Sequence, residues 1–245
     1  MKNIFLILLG SIFFFSSCNE RNLNGVPSQT FDLEFEEEIN GIELNIAGDV
    51  VIDQNDAQSV VVETQQEVMN YLSYKVENGT LVIELDKNFR NYDFKLYLNV
   101  TSLQNVTLNG SGSILVHDLT SDQLKIKLAG SGKIAVDDAS NVINTIDAQL
   151  DGSGNINIEK IAINAISVKR TGSGNISLYG NSQKLDARLD GSGNLKASQL
   201  ITKDVTVSNT GSGNVHVHCD GVLSIRNSGS GTIKVEGNPT SIIQL

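Results

Sequence analysis

The sequence predicts an all-β chain: a single-stranded, right-handed parallel β-helix (β-solenoid) of about 20 residues per coil, with an N-terminal strand and hairpin cap. Two observations carry this. Gly-Ser-Gly recurs seven times, starting at Gly110, Gly130, Gly152, Gly172, Gly191, Gly211 and Gly229, with spacings of 20, 22, 20, 19, 20 and 18 residues. Apolar residues alternate with polar ones on both sides of every recurrence. A fixed period near twenty marks repeats that cannot bury an apolar face alone and must stack on their neighbours. Parallel crossovers are almost always right-handed.

The chain opens with a targeting segment, residues 1–17. Lys2 supplies the positive start, Ile4 to Phe15 an apolar run, and Ser16 and Ser17 small residues before Cys18. The run is short for a membrane span and suits an export signal. Phe-Ser-Ser-Cys resembles the lipobox of bacterial lipoproteins, with Phe15 where Leu is usual; the resemblance implies lipidation of Cys18. Residues 18–28 then read as the lipidated cysteine and a flexible polar tether of at most roughly 35 Å. Cys219 is the only other cysteine, so no disulfide framework is expected.

Residues 29–104 read as an N-terminal β cap and first coils. "GIELNIAGDVVID", Gly41 to Asp53, echoes the later repeat with Gly48 at the bend. Val60–Thr64 and Asp93–Val100 read as further strands, and Tyr71–Glu77 with Thr80–Asp86 as a hairpin turning at Asn78-Gly79. The acidity gathers here: residues 18–104 carry sixteen acidic and five basic side chains, whereas 105–245 carry twelve of each. Glu34, Glu36, Glu37 and Glu38 read as a solvated strand edge that resists foreign pairing.

Residues 105–245 read as the Gly-Ser-Gly repeat with a C-terminal cap. Four residues after each first glycine stand Ile114, Ile134, Ile156, Ile176, Leu195, Val215 and Ile233. Six after stand Val116, Val136, Ile158, Leu178, Ala197, Val217 and Val235. The positions four and six before are apolar too, except Gln104. Each repeat is therefore two short strands flanking the glycines, followed by a variable polar connection such as Asp118–Gln123 or Gly180–Lys184. The structural turn residues are Gly110, Gly112, Gly130, Gly132, Gly152, Gly154, Gly172, Gly174, Gly191, Gly193, Gly211, Gly213, Gly229 and Gly231. They share the inward parity, where a side chain would collide with the coil's own core. Asn155, Asn175, Asn194 and Asn214 follow as turn residues and, with the serines, predict ladders along one edge. Ile242 and Ile243, after the break at Gly237-Asn-Pro239, are candidates to cover the last coil.

The serial Gly-Ser-Gly-Asn-Ile elements, "NGTLVIEL" at Asn78–Leu85 and "GIELNIAGDVVI" together resemble the putative auto-transporter adhesin, head GIN domain family of Bacteroidota envelope lipoproteins. The resemblance spans nearly all of the mature chain. It implies a parallel β-helix on the cell envelope and an adhesin-like role, and it supplies no catalytic residues. Ser113 and Lys133 stand where the repeat asparagine would be.

Candidate chemistry is sparse. Glycoside hydrolysis needs two carboxylates at defined separation. Asp151 and Asp190 fall two coils apart, roughly 10 Å, but read better as turn residues. Arg170, Asn209 and Asn227 occupy a column held by Leu108, Leu128, Leu150 and Leu189 elsewhere, which suggests that the column turns outward after the third repeat. Lys127, Lys169, Arg188 and Arg226 share another column and form a loose basic stripe, which reads first as a solvated face and second as a candidate surface for anionic glycans or head groups. His216, His218 and Cys219 are the only metal-like cluster, and Cys219 points away from the histidines, so no metal site and no cofactor are expected. The acidic, aromatic-poor composition argues against nucleic acid. The expected function is a lipid-anchored, non-catalytic, adhesin-like scaffold of the cell envelope, most simply on the outer membrane, with an envelope or host glycan or protein as partner. The alternative is a polysaccharide lyase or hydrolase of the parallel β-helix type.

Overall fold

A computed structural model describes residues 20–245; the expected signal segment and Cys18 lie outside them. The N-terminal portion contains β1 (Arg21–Asn22), β2 (Gln29–Leu33), β3 (Gly41–Leu44), β4 (Asp49–Gln54) and β5 (Ser59–Thr64). A single-turn helix α1 (Gln66–Met69) follows, then β6 (Leu72–Glu77), β7 (Thr80–Leu85), β8 (Phe89–Arg90) and β9 (Phe94–Val100). The repeats supply β10 (Asn105–Gly110), β11 (Ser113–Val116), β12 (Thr120–Gly130), β13 (Lys133–Val136) and β14 (Asn141–Gly152). They continue as three long strands, β15 (Asn155–Gly172), β16 (Asn175–Gly191) and β17 (Leu195–Asn209). The C-terminal rungs are β18 (Val215–His218), β19 (Val222–Asn227), β20 (Ile233–Glu236) and β21 (Ser241–Gln244).

The chain winds as a β-solenoid of roughly 20-residue coils. On one face, the strands preceding the glycines stack in parallel: β7, β3, β10, β12, β14, the C-terminal parts of β15, β16 and β17, then β19 and β21. The strands following the glycines form the second face: β9, β4, β11, β13, the N-terminal parts of β15 to β17, then β18 and β20. The bends stay in register, with Gly110 paired to Gly130, Gly130 to Gly152, Gly152 to Gly172 and Gly172 to Gly191.

The aliphatic columns fill the interior. Ile114, Ile134, Ile156, Ile176, Leu195 and Val215 are each at most 1% exposed, as are Val116, Val136, Ile158, Leu178, Ala197 and Val217. Burying one such Val, Leu or Ile side chain contributes about 1.5–3 kcal/mol. The repetition of that term along the stack is what replaces a disulfide framework.

Three expectations need correction. The connection at Gly180–Lys184 is not a polar loop. Ile161–Ile163, Gly180–Ser182 and Leu200–Thr202 pair as a third short face. Ile161, Ile163 and Leu200 point inward, and the two inward hydroxyls are satisfied locally, Ser182 donating to the Lys184 carbonyl (2.9 Å) and Thr202 to the Leu200 carbonyl (3.1 Å). At the C-terminal end, β21 adds a rung beside β19, but Ile242 (60% exposed) and Ile243 (44%) leave that rung open. The Glu34–Glu38 acids lie in the loop just after the edge strand β2, not on a strand.

The N-terminal end is closed differently. β6 and β7 form the expected hairpin, with Asn78 and Gly79 both at positive φ (+51° and +77°) as a two-residue primed turn demands. β5 pairs antiparallel with β9, and β2 antiparallel with β5. β5 and β6 thus run against the solenoid direction while the edge strand β2 runs with it, and β6 carries the charged pair Lys75–Glu77 (2.8 Å), which discourages further strand addition. Part of the segment read as a tether is docked: β1 pairs with β8, and Leu23, 1% exposed, packs with Val68 and Phe89.

Candidate binding surface

Each bend brings backbone to backbone. A Cβ on Gly132 would stand 2.5 Å from the Gly112 carbonyl oxygen and 2.7 Å from Leu108 Cδ2. The glycines are therefore required mainly by the rung below, and only secondarily by the coil's own core, which is a correction to the sequence reading. Serine N–H groups bond down the stack, as from Ser153 to the Gly130 carbonyl (2.9 Å) and Ser173 to Gly152 (2.9 Å). The serine side chains are exposed.

The asparagine column is a hydrogen-bonded ladder. Asn175 Nδ2 donates to Asn155 Oδ1 (3.1 Å), and Asn194 donates to Asn175 Oδ1 from both its backbone N–H and Nδ2 (3.1 Å each). The Asn214 N–H donates to Asn194 Oδ1 (3.0 Å), and the Thr232 N–H to Asn214 Oδ1 (3.1 Å). Lower in the stack these N–H groups go to glycine carbonyls instead: Lys133 to Gly112, Asn155 to Gly132 and Asn175 to Gly154. The ladder changes character at Asn194.

The polar inward column changes with it. Contrary to expectation this column stays inward at Arg170 (1% exposed) and Asn209 (0%); only Asn227, near the C-terminal end of the stack, is exposed. Asn209 Nδ2 reaches the Gly213 carbonyl (3.3 Å) and Asn227 Oδ1 (3.1 Å), and Asn227 Nδ2 reaches the Gly231 carbonyl (2.9 Å). Side-chain amides thus serve carbonyls at bends where the next residue's N–H bonds an asparagine. Arg170 lies under the Gly193 bend, where a Cβ would stand 2.5 Å from its Nη1. Its guanidinium nitrogens have no hydrogen-bond partner among the described residues, and burial pushes its pKa below the ordinary value. A leucine-to-arginine or leucine-to-asparagine change in a column is the signal that marks this switch in sequence. Only its direction was misread.

The basic stripe forms one register column on the first face: Lys127, Gln149, Lys169, Arg188, Ser208, Arg226. Lys169, Arg188 and Arg226 are exposed and Lys127 is half-buried. Acids flank it, Asp147 and Asp186 on one side, Asp151 and Asp190 on the other. Arg188 pairs with Asp186 (3.3 Å), and Gln149 Nε2 donates to Asp151 (2.6 Å). The face is a lattice of alternating charge. Asp151 and Asp190 stand two rungs apart on this open surface.

On the second face His216 Nε2 lies 2.8 Å from Glu236, and His218 Nε2 3.1 Å from Asp220. Hydrogen bonding by His216 and then Lys234 holds the Glu236 carboxyl below its usual range. The Asn238 N–H, followed by His218, does the same for Asp220. Cys219 is fully buried, and burial pushes its thiol up. Among the described residues no group of three His, Cys, Asp or Glu side chains converges as metal ligands would. A groove of about 530 Å³ lies beside the Gly48 bend, walled by Asp49, Glu63, Tyr92 and Lys95, and was not signalled by the repeats.

Comparison with known proteins fits this architecture. Two structures from Parabacteroides distasonis are similar: a putative lipid binding protein (22% identity, TM-score 0.76, 92% of this chain and 96% of that one) and a putative adhesin (19%, 0.72, 93% and 100%). A putative adhesin from Parabacteroides merdae is similar as well (18%, 0.75, 92% and 99%). At these identities the likeness shows the fold. No curated protein matches. The family model described as putative auto-transporter adhesin, head GIN domain, matches residues 38–239, and the chain belongs to that family.

Proposed function

We propose that the protein is a lipid-anchored scaffold of the cell envelope, attached to the outer membrane through Cys18, which binds partners in an adhesin-like manner and catalyses no reaction. The family description and the adhesin descriptions of the similar structures support the binding role. The observation that carries the reading is the first face itself. Lys169, Arg188 and Arg226 recur in one column on a hydrogen-bonded stack, so a partner with a repeating anionic group meets several weak contacts at once. The placement of Asp151 and Asp190 on an open outer face, among exposed neighbours, supports the non-catalytic reading over a glycan-cleaving one.

The test is an array of acidic and neutral glycans and purified envelope components probed with residues 20–245, a range that retains the docked Leu23. Binding that weakens at least tenfold in a Lys169→Glu/Arg188→Glu variant of unchanged melting temperature supports the reading. Cleavage of an arrayed glycan that is abolished by Asp151→Asn overturns it.

A further inference from the structure

We propose that the corner formed by β1, α1 and β8 at the N-terminal end of the solenoid is a contact surface for phospholipid head groups, seated on the bilayer that carries the anchor. This rests on lipidation of Cys18. Three observations lead to it.

The first is reach. The chain locks onto the body at Arg21, where β1 pairs with β8 and Leu23 is buried against Val68 and Phe89. Arg21 is three residues from Cys18 in the sequence, at most roughly 10 Å of extended chain. That is close to the screening length of about 8 Å at physiological salt. An anchor at Cys18 keeps this corner within electrostatic range of the surface.

The second is charge. Of the five basic side chains in residues 18–104, three belong to this corner: Arg21, Lys87 and Arg90. Glu67 sits between two of them, 2.7 Å from Arg21 and 4.0 Å from Lys87. With Glu20 and Asp86 also counted, this corner is close to neutral, whereas Asp32, Glu34, Glu36, Glu37 and Glu38, on and after edge strand β2, make another part of the same end acidic. The rest of residues 18–104 has 16 − 3 = 13 acidic and 5 − 3 = 2 basic side chains. An anionic lipid surface repels that remainder and tolerates this corner.

The third is amphipathic exposure. Val26 and Tyr71 are each 41% exposed beside a groove of about 480 Å³. Lys87 Nζ lies 4.7 Å from the centre of the Tyr71 ring. An aromatic ring with a polar tip beside a cation suits the head-group layer, where the ring meets acyl carbons and the charge meets phosphate.

The test uses the full acylated protein in phosphatidylcholine vesicles containing a minor fraction of phosphatidylglycerol and a nitroxide-bearing lipid. A fluorophore is placed at Asn70→Cys near this end or at Asn238→Cys at the far end; Cys219 is buried. The expected result is quenching at position 70 at least twice that at 238. A long Gly-Ser insertion between Glu20 and Arg21 removes the leash. Persistent quenching at 70 then supports recognition by the surface itself, with a loss of roughly fivefold in its lipid affinity for each of Lys87→Gln and Arg90→Gln. Equal quenching at the two positions, or quenching that vanishes with the insertion, overturns the proposal while leaving the anchor intact. Flotation of the same vesicles separates the two readings, because protein that does not float has no anchor, and the proposal falls with it.

Discussion

Gly172 lies directly on the carbonyl of Gly152, one rung below, so closely that a Cβ on Gly172 would stand 2.5 Å from that oxygen. Its φ of +110° adds a backbone conformation that L side chains rarely adopt. Gly172→Ala must therefore part the rungs or break the Ser173-to-Gly152 hydrogen bond. A loss of about 3 kcal/mol or more is expected. Ser173→Ala, on the exposed side of the same bend, should change stability by less than about 0.5 kcal/mol. Urea denaturation of the two variants checks the pair.

Asn175 Oδ1 accepts two hydrogen bonds from Asn194, one from backbone and one from side chain. Asn175→Ala removes the acceptor of both bonds and leaves the Asn194 N–H without its partner. The expected cost is about 1–3 kcal/mol. Asn157→Ala, whose side chain reaches only Glu159 on its own strand, should cost little by the same denaturation measurement.

Arg170 is an ion held in an aliphatic column between Leu150 and Leu189. Removing an unpaired buried charge and filling its place with hydrocarbon is expected to be neutral or stabilising, by about 1–4 kcal/mol. Arg170→Leu should hold or raise the melting temperature. A clear fall would mean that the guanidinium carries the Gly193 and Gly213 bends.

Asp138 accepts from the Ser140 N–H (2.9 Å) and from Lys160 Nζ (2.9 Å). Hydrogen bonds from Ser140 and then Lys160 hold its carboxyl at about 2, below the ordinary 3.8. The folded pKa is depressed, so the stabilisation is fully present above about pH 4 and is lost as pH falls through about 2. Asp138→Asn should be less stable than the parent by about 1 kcal/mol at neutral pH, after allowance for solvent screening. The difference should close near pH 2, as followed by thermal melts across that range.

Much of the solenoid was legible because its signals are local and repeated. Seven Gly-Ser-Gly elements and two aliphatic columns state the period, the parity and the bend. The hairpin at Asn78-Gly79 was legible for the same reason, since a primed turn has its own residues. The misread parts depend on partners far away in the chain. Nothing in the sequence around Ile161 or Leu200 says that these residues meet through Gly180 to make a third face. Ile242 reads as a lid by composition, yet covering requires a fold-back that β21 forgoes by pairing with β19. Arg170 was sent outward by a sound rule about buried charge, and the packing of its column overrode that rule. The basic stripe was visible as a column; the acids on both sides, which set its local charge, became apparent only once rungs were paired.

The in-register stacking of the bends is tested most directly by distances between spin labels on the exposed serines, measured by double electron–electron resonance with cysteines at paired positions. Ser131 and Ser230 are five rungs apart and Ser111 and Ser230 six, so the label separations should centre near roughly 24 Å and 29 Å, one rung of about 4.8 Å apart. Distributions that are equal, reversed or far from these values would contradict the stacked solenoid.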